Sequence, residues 1–137
     1  LIRQKLQNLV LSSGFELITL IHPTAVIGSD VTIGNGSVVM PGAIINAKST
    51  IGNGVIINSG AIIEHECTIG DFAHICPGVA IAGGSLVGER SWIGIGSSVI
   101  QNITIKPDIT IGAGSVVVKD ILEGSLAYGN PCRVVKS

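Results

Sequence analysis

The sequence predicts an all-β fold, a triangular prism of parallel strands, and two periodicities predict it. From residue 21 to residue 117, every sixth residue is Ile or Val without exception. Gly34, Gly52, Gly70 and Gly88 recur every eighteen residues, so three six-residue units complete one coil. A sustained short period means that one small unit is stacked on copies of itself. The seventeen Ile/Val positions therefore predict a parallel β-helix of about 5–6 triangular coils.

Each six-residue unit is predicted to be a three-residue strand followed by a three-residue corner. Residues two apart in a strand point to the same face. The residue two before each Ile/Val position is small or aliphatic, so the strand faces in, out and in again. The corners carry turn-forming triplets such as Gly34-Asn35-Gly36 and Cys76-Pro77-Gly78. We interpret these glycines as structural and not as a phosphate-binding loop.

Residues 1–20 lie outside the period. Their apolar positions fit one face of a short helix that ends at Ser12-Ser13-Gly14, and residues 15–21 are predicted to be a strand. Neither element can bury its apolar side chains alone, so the segment is expected to be the tail of a preceding α/β domain or a cap on the first coil. Because the chain begins with Leu, we expect a segment upstream of it. The predicted divisions are residues 1–20, the prism over 21–122 and a tail over 123–137. The apolar helix positions are Ile2, Leu6, Leu9 and Val10.

The composition excludes several classes of protein. Charged residues make up 12% of the 137 residues and the net charge is −1, with no basic run that would mark a nucleic-acid surface. No apolar stretch is long enough for a membrane span and no signal peptide is visible. Cys67, Cys76 and Cys132 show no metal-type spacing, which indicates reduced thiols in a cytoplasmic protein. Cys67 and Cys76 are expected to be core and turn residues.

The outward residues of the strands fall into three columns, one for each face of the prism. The first face is aliphatic, and contiguous apolar surface usually marks an interface. We therefore expect the first face to pack against another copy in a cyclic homo-oligomer. The first face carries Val26, Ile44, Ile62, Ala80, Ser98 and Val116. The second carries Thr32, Thr50, Thr68, Leu86, Thr104 and Leu122, and the third carries Val38, Ile56, His74, Trp92 and Thr110.

One corner, Glu64-His65-Glu66, lacks the usual turn residues. A His flanked by carboxylates has the arrangement of a general base, whereas a solvated surface corner explains the same residues equally well. Asn58 and His74 are further polar residues near the first face. Across an interface made by that face, His65 of one copy could meet Asn58 and His74 of the next. His22 is expected to be structural, and the His residues are too few and too dispersed to predict a metal site.

These residues resemble a known family. The six-residue series, residues 58–67 with the Glu64-His65-Glu66 corner, Gly70-Asp71-Phe72-Ala73-His74 and Tyr128-Gly129-Asn130-Pro131 are similar to the hexapeptide-repeat sugar acetyltransferases. Within that family they most resemble the branch of sialic acid O-acetyltransferases and bacillosamine-pathway N-acetyltransferases. The resemblance implies a left-handed β-helix that forms a homotrimer, with acetyl-CoA in the groove between adjacent prisms. It also implies that residues 1–20 are what remains here of a Rossmann-like sugar-nucleotide domain.

The resemblance also implies roles for individual residues. His65 would be the general base, Glu66 would raise its basicity and Asn58 would help to hold the acceptor. The acetyl-CoA path would be lined by His74, Gly83, Ile95 and Ala113, and Arg133 and Lys136 in the tail would reach the CoA phosphates.

The expected reaction is direct transfer of acetyl, without a metal, to the amino group of a nucleotide-linked sugar of the UDP-4-amino type. O-acetylation of a sialic acid or a related sugar is an alternative, since neither the repeats nor the corner separates amine from hydroxyl. An alternative of another class is a non-catalytic β-helix scaffold.

Overall fold

The computed structural model describes residues 2–135, which form one N-terminal helix followed by a prism of short strands. The helix α1 spans Ile2–Ser12. The strands are β1 (Leu20–Ile21), β2 (Val26–Ile27), β3 (Thr32–Ile33), β4 (Val38–Val39), β5 (Ile44–Ile45), β6 (Thr50–Ile51), β7 (Ile56–Ile57), β8 (Ile62–Ile63), β9 (Thr68–Ile69), β10 (His74–Ile75), β11 (Ala80–Ile81), β12 (Leu86–Val87), β13 (Trp92–Ile93), β14 (Ser98–Val99), β15 (Thr104–Ile105), β16 (Thr110–Ile111), β17 (Val116–Val117), β18 (Leu126–Tyr128) and β19 (Arg133–Val134).

Successive strands belong to different faces, and each of β1 to β14 pairs in parallel with the strand three further along the chain. The register is eighteen residues throughout this series, so that Ile57 lies beside Ile75 and Ile75 beside Ile93. The first face is the sheet β2-β5-β8-β11-β14-β17, the second is β3-β6-β9-β12-β15, and the third is β1-β4-β7-β10-β13-β16, extended by β18 and β19. The predicted triangular parallel β-helix is confirmed, as is the assignment of outward residues to three faces, except for Leu122.

The Ile/Val series forms the core. The fourteen members from Val39 to Val117 are each at most 3% exposed. The first members behave differently, since Ile21 is 47% and Ile27 36% exposed. These two side chains belong to the first coil, and no coil lies beneath it within the described residues.

Buried serines join successive coils at the inward position that begins several strands. Each hydroxyl donates to a backbone carbonyl fifteen residues later and accepts a backbone N–H eighteen residues later. Ser97, for example, donates to Gly112 O and accepts from Ser115 N. A hydroxyl satisfies both roles where an alanine leaves a buried N–H unpaired. The serines with this pattern are Ser37, Ser49, Ser85, Ser91 and Ser97.

The corners bring neighbouring coils into close contact. A Cβ on Gly34 would lie 2.6 Å from the carbonyl carbon of Gly52, so that position admits only glycine. The third residue of a corner is repeatedly left-handed, including Lys48 at φ 61° and Glu66 at φ 58°. The unusual backbone of Glu66 is therefore a property of the repeat and not of that corner alone.

The N-terminal segment corrects one expectation. Only Leu20–Ile21 is a strand, so the predicted strand over residues 15–21 is wrong in its first five residues. The helix is confirmed, but its polar side faces the prism: Arg3 donates to Phe72 O at 2.9 Å and Gln7 to Gly36 O at 3.1 Å. The apolar residues Ile2, Leu6, Leu9 and Leu11 are exposed. Among residues 2–135, no helix combines the length and apolar character needed to cross a bilayer.

The C-terminal segment closes the other end of the prism. Ile121 bridges Ile105 sixteen residues before it, and Asp120 accepts a hydrogen bond from Thr104 N. The period is thus two residues short here, and Leu122 does not join the second face as expected. Strand β18 extends the third sheet and β19 pairs antiparallel with β18. Ala127 and Cys132 are buried, so the tail contributes to the core.

The serine bonds predict a stability difference between two adjacent residues. Ser97→Ala should lower the free energy of unfolding by about 1–3 kcal/mol, because Ser115 N loses its partner in the core. Ser98→Ala is the control, since Ser98 points outward and is exposed. Urea unfolding of both variants measures the difference. Equal stabilities would show that these hydroxyls contribute nothing to coil stacking.

Candidate active site

The corner after β8 places a histidine and a carboxylate in contact. His65 Nδ1 lies 3.1 Å from Glu66 Oε2, and the two side chains are 62% and 60% exposed. A carboxylate can only accept, so Nδ1 carries the proton in this pair. The lone pair of the neutral ring is then on Nε2. The His65 corner thus presents an oriented proton acceptor at the surface, as general-base chemistry requires.

Gly83 lies against the His65 ring. A Cβ on Gly83 would lie 2.6 Å from both Cε1 and Nε2 of His65. The same corner position holds Ala47 two coils earlier and Gln101 one coil later, so the backbone there accepts side chains. Gly83 also has no left-handed φ to require glycine. The absence of a side chain at Gly83 therefore leaves the space that the His65 ring occupies.

A second polar cluster lies at the corner after β7. Asn58 Nδ2 is 3.1 Å from Nε2 of His74, and the backbone N–H of Ser59 donates to Asn58 Oδ1 at 2.8 Å. The His74 ring packs on Trp92, with centroids 4.4 Å apart and planes at 53°. Trp92 follows His74 by eighteen residues, which places it directly beside His74 in the next coil.

A cavity of about 540 Å³ lies between α1 and the third face. Its wall includes Arg3, Ile56, Phe72, His74 and Trp92. Burial, and to a lesser extent the positive charge of Arg3, lowers the pKa of His74. The neutral form of the His74 ring is thereby favoured.

The remaining predicted site residues lie at other places. Ile95 and Ala113 occupy successive coils of the corner that begins with Asn58, and Ile95 is 57% exposed. Arg133 lies in β19, beside a smaller cavity at the C-terminal end. Lys136 lies outside the described residues. His22, whose Nδ1 is 2.9 Å from Thr24 Oγ1, lies in the first coil, away from both clusters.

The thiols are poorly suited to nucleophilic catalysis. Cys67, Cys76 and Cys132 are free and buried, and burial raises the pKa of each thiol. A thiolate, which is the reactive form, is therefore disfavoured at all three positions. In the part of the chain that the structure describes, no group of three or more His, Cys, Asp or Glu side chains is placed to hold a metal ion.

The structure assembles two clusters and keeps them apart within one chain. His65, Glu66 and Gly83 lie at the corner between the first and second faces. Asn58 and His74 lie where the third face meets the first. The aliphatic first face separates them.

Three contributors were not expected from the sequence. They are Trp92, the backbone N–H of Ser59, and Arg3. The eighteen-residue spacing was a usable signal for Trp92, since it follows His74 by one period. Nothing in the period places α1, so no comparable signal existed for Arg3.

The comparisons with known proteins match the repeat and the fold of this chain. The family model described as bacterial transferase hexapeptide (six repeats) matches residues 48–83. No curated protein matches the chain in a sequence comparison.

Several solved structures match over almost all of the chain. A histidine-to-asparagine variant of perosamine N-acetyltransferase from Caulobacter crescentus, in complex with CoA and GDP-perosamine, is 43% identical with a TM-score of 0.97, covering 99% of this chain and 65% of that one. The acetyltransferase domain of PglB from Neisseria gonorrhoeae, in complex with acetyl coenzyme A, is 40% identical with a TM-score of 0.95, covering 98% and 65%. WeeI from Acinetobacter baumannii is 28% identical with a TM-score of 0.83, covering 98% and 66%.

The chain thus spans just under two thirds of the length of these proteins. Within that span, the coil period, the fold and the repeat model all agree. Residues 48–83 thus match the repeat model of bacterial hexapeptide transferases, and almost the whole chain has the fold of the perosamine N-acetyltransferase and of the PglB acetyltransferase domain.

Proposed function

We propose that the protein is an acetyl-CoA-dependent N-acetyltransferase that acts on a nucleotide-linked amino sugar, with His65 as the general base. The observation that carries the proposal is the His65–Glu66 pair, which leaves Nε2 as an oriented, exposed lone pair above Gly83. Support for the substrates comes from relatives at 40–43% identity that bind CoA with GDP-perosamine, or acetyl coenzyme A.

The reaction requires only a base and accurate positioning. The amine nitrogen attacks the thioester carbonyl carbon, and His65 Nε2 accepts a proton from that nitrogen. The C–S bond then breaks, CoA leaves as a thiolate and the imidazolium returns the proton to sulfur. Glu66 stabilises the imidazolium while it exists. Direct transfer needs no nucleophilic thiol, in keeping with three buried cysteines whose pKa values are raised.

We further propose that the site is completed between copies of the chain in a cyclic trimer. The two clusters lie at opposite edges of the aliphatic first face, so packing of that face can bring His65 of one copy to Asn58 and His74 of the next. Acetyl-CoA would occupy the groove between the copies, along Gly83, Ile95 and Ala113. Arg133 and Lys136 would approach its phosphates. In this arrangement the outward side chains of Ile44 and Ile62 would pack against another copy of the chain.

The proposal assigns residues 1–20 to an upstream domain that holds the sugar nucleotide. The exposed apolar side chains of α1, including Leu6 at 57% and Leu9 at 62%, are what a helix at a domain boundary would present. This chain covers 65% of the length of the perosamine and PglB structures, so each of them has a further segment. Free thiols and an acetyl-CoA substrate favour a cytoplasmic location.

A hydroxyl acceptor is the second candidate, since the same base deprotonates a sugar hydroxyl. The amine is preferred because the perosamine enzyme, at 43% identity, is an N-acetyltransferase by name. A β-helix that serves only as a scaffold is the alternative of another class, and the two activity tests below separate it from an enzyme.

Replacement of the base should abolish transfer without unfolding the protein. We expect His65→Ala to lower kcat by about 10²–10⁴-fold, the usual contribution of a general base. The unfolding temperature should not change, because the His65 side chain is 62% exposed. The assay follows CoA release with UDP-4-amino sugars and GDP-perosamine, for the full-length protein and for this chain. His22→Ala is the control and should retain activity.

Full activity of His65→Ala would refute the site assignment. A ligand that binds only the folded state raises the unfolding temperature. No rise with excess acetyl-CoA, together with no turnover in the full-length protein, would favour the scaffold.

A methyl group beneath the ring should lower the activity by displacing the base. Gly83→Ala places a Cβ where Cε1 and Nε2 of His65 lie, so the exposed ring must turn away. We expect kcat to fall by at least tenfold, which corresponds to about 1.4 kcal/mol in the barrier, with stability unchanged. Ala47→Gly, at the same corner position on the opposite side of His65, is the control. A Gly83→Ala enzyme with normal kcat would show that the observed ring position is not the reactive one.

Assembly through the first face can be tested by introducing a charge. Ile62→Glu should give a monomer, because a carboxylate buried against aliphatic side chains costs several kcal/mol. Thr68→Glu, on the next strand and the second face, should leave the assembly intact. Sedimentation equilibrium should give three times the 14.0 kDa chain mass for the parent and the control. A parent chain that sediments as a monomer, or an Ile62→Glu trimer, would contradict the proposal.

A further inference from the structure

The two histidines of the site differ in what their Nε2 atoms can do. Among residues 2–135, the His65 ring makes one side-chain hydrogen bond, from Nδ1 to Glu66, and none from Nε2. Nε2 of His74 lies 3.1 Å from the side-chain amide of Asn58. The chemistry of His74 therefore depends on which atom of the Asn58 amide faces it.

The backbone of Ser59 decides the orientation of that amide. Its N–H donates to Asn58 Oδ1 at 2.8 Å, and an N–H cannot donate to the amide nitrogen. Reversal of the amide would bring two donors together at Ser59. Asn58 Nδ2 is consequently the atom that faces His74, and it is a donor.

A donor at 3.1 Å requires an acceptor, so Nε2 of His74 must hold its lone pair. The proton of the neutral ring is then on Nδ1. We propose that Asn58 is a positioning residue that holds His74 as a neutral, Nδ1-protonated ring, which serves the site as a hydrogen-bond donor to a ligand oxygen. That ligand role rests on the proposed acetyl transfer, whereas the tautomer does not.

The surroundings of His74 favour the same state. Trp92 packs on one side of the ring at a centroid distance of 4.4 Å and limits its rotation. The charged groups that share its cavity are Arg3 and Arg90, both cationic, and Arg90 is paired with Glu89 and Asp108. A second proton on His74 would be repelled by this positive charge, because Glu89 and Asp108 are already paired with Arg90. Burial and Arg3 accordingly lower the pKa of His74.

The assignment separates the roles of the two rings. Both carry the proton on Nδ1, but only His65 has an Nε2 lone pair available to a substrate. His74 can donate from Nδ1 to a carbonyl or hydroxyl oxygen and cannot act as a base. The Asn58 side chain acts through His74, which differs from direct contact with the acceptor.

Nitrogen NMR of the histidine rings tests the tautomer directly. The chain has three His residues, so His74→Gln identifies the His74 signals by their loss. At neutral pH, Nδ1 of His74 should have the shift of a protonated ring nitrogen and Nε2 that of an unprotonated one. A His74 ring protonated on Nε2 in the parent protein would overturn the proposal.

Substitution of Asn58 supplies the causal test. A carboxylate cannot donate, so Asn58→Asp should move the proton to Nε2 and raise the pKa of His74. Asn58→Ala should allow the ring to exchange between its two tautomers. This variant replaces Asn58→Asp in the test if the aspartate variant does not fold. Ser59→Ala is the matched control, because it keeps the backbone N–H, and the parent tautomer should persist. An unchanged Nδ1–H in the folded Asp or Ala variant would refute the role of Asn58.

Kinetics then connect the tautomer to the reaction. In the full-length protein, Asn58→Asp should lower kcat/KM by on the order of 10²-fold, the usual loss when one oriented donor is removed. Normal kcat/KM despite a reversed tautomer would refute the donor role. If the parent protein transfers no acetyl group while the ring shifts are as expected, the proposed function fails and the tautomer assignment stands.

Discussion

The hydrogen bonds between successive coils are the constraint on which the rest of the structure depends. In each strand from β1 to β14, a backbone N–H donates to the carbonyl seventeen residues later, as from Ile56 to Ala73 and from His74 to Ser91. This ladder fixes the distance between coils at about 4.8 Å, the spacing of hydrogen-bonded strands. In this series, residues eighteen apart are therefore neighbours in successive coils. This eighteen-residue spacing determines which residues are neighbours in the core, at the corners and on the surface of these coils.

Two contacts in the candidate site depend on the same eighteen-residue spacing. His65 requires a glycine one coil further on, and Gly83 supplies it although the corner backbone accepts larger residues elsewhere. His74 rests on Trp92 because that residue is its neighbour in the next coil. A rigid repeating backbone thus orients two histidine rings, one exposed and one half-buried, without a loop insertion. Rigid support of this kind is what positioning of a catalytic group requires.

The two histidines show how neighbouring groups determine what a ring can do. In His65 a carboxylate binds Nδ1–H and leaves the opposite nitrogen available. In His74 an amide donor occupies the opposite nitrogen and leaves Nδ1–H available. Identical side chains on one scaffold thereby become a proton acceptor and a hydrogen-bond donor. The difference arises from two residues, Glu66 and Asn58, each placed by the corner that carries it.

The sequence by itself determined the prism, because a period of six with an eighteen-residue coil maps directly onto strand, corner and face. It also separated the core from the outward columns and singled out His65, Glu66, Asn58 and His74 by their departure from the repeat. It could not show that Gly83 lies under His65 or that Ser59 orients Asn58. Those contacts depend on side-chain direction and on atoms within 3 Å, which a period does not encode. At both ends of the prism the repeat no longer dictates which residues are neighbours. Tertiary packing alone therefore decided three features: the course of residues 15–19, the contact of the polar side of α1 with the prism, and the two-residue shortening at Ile121.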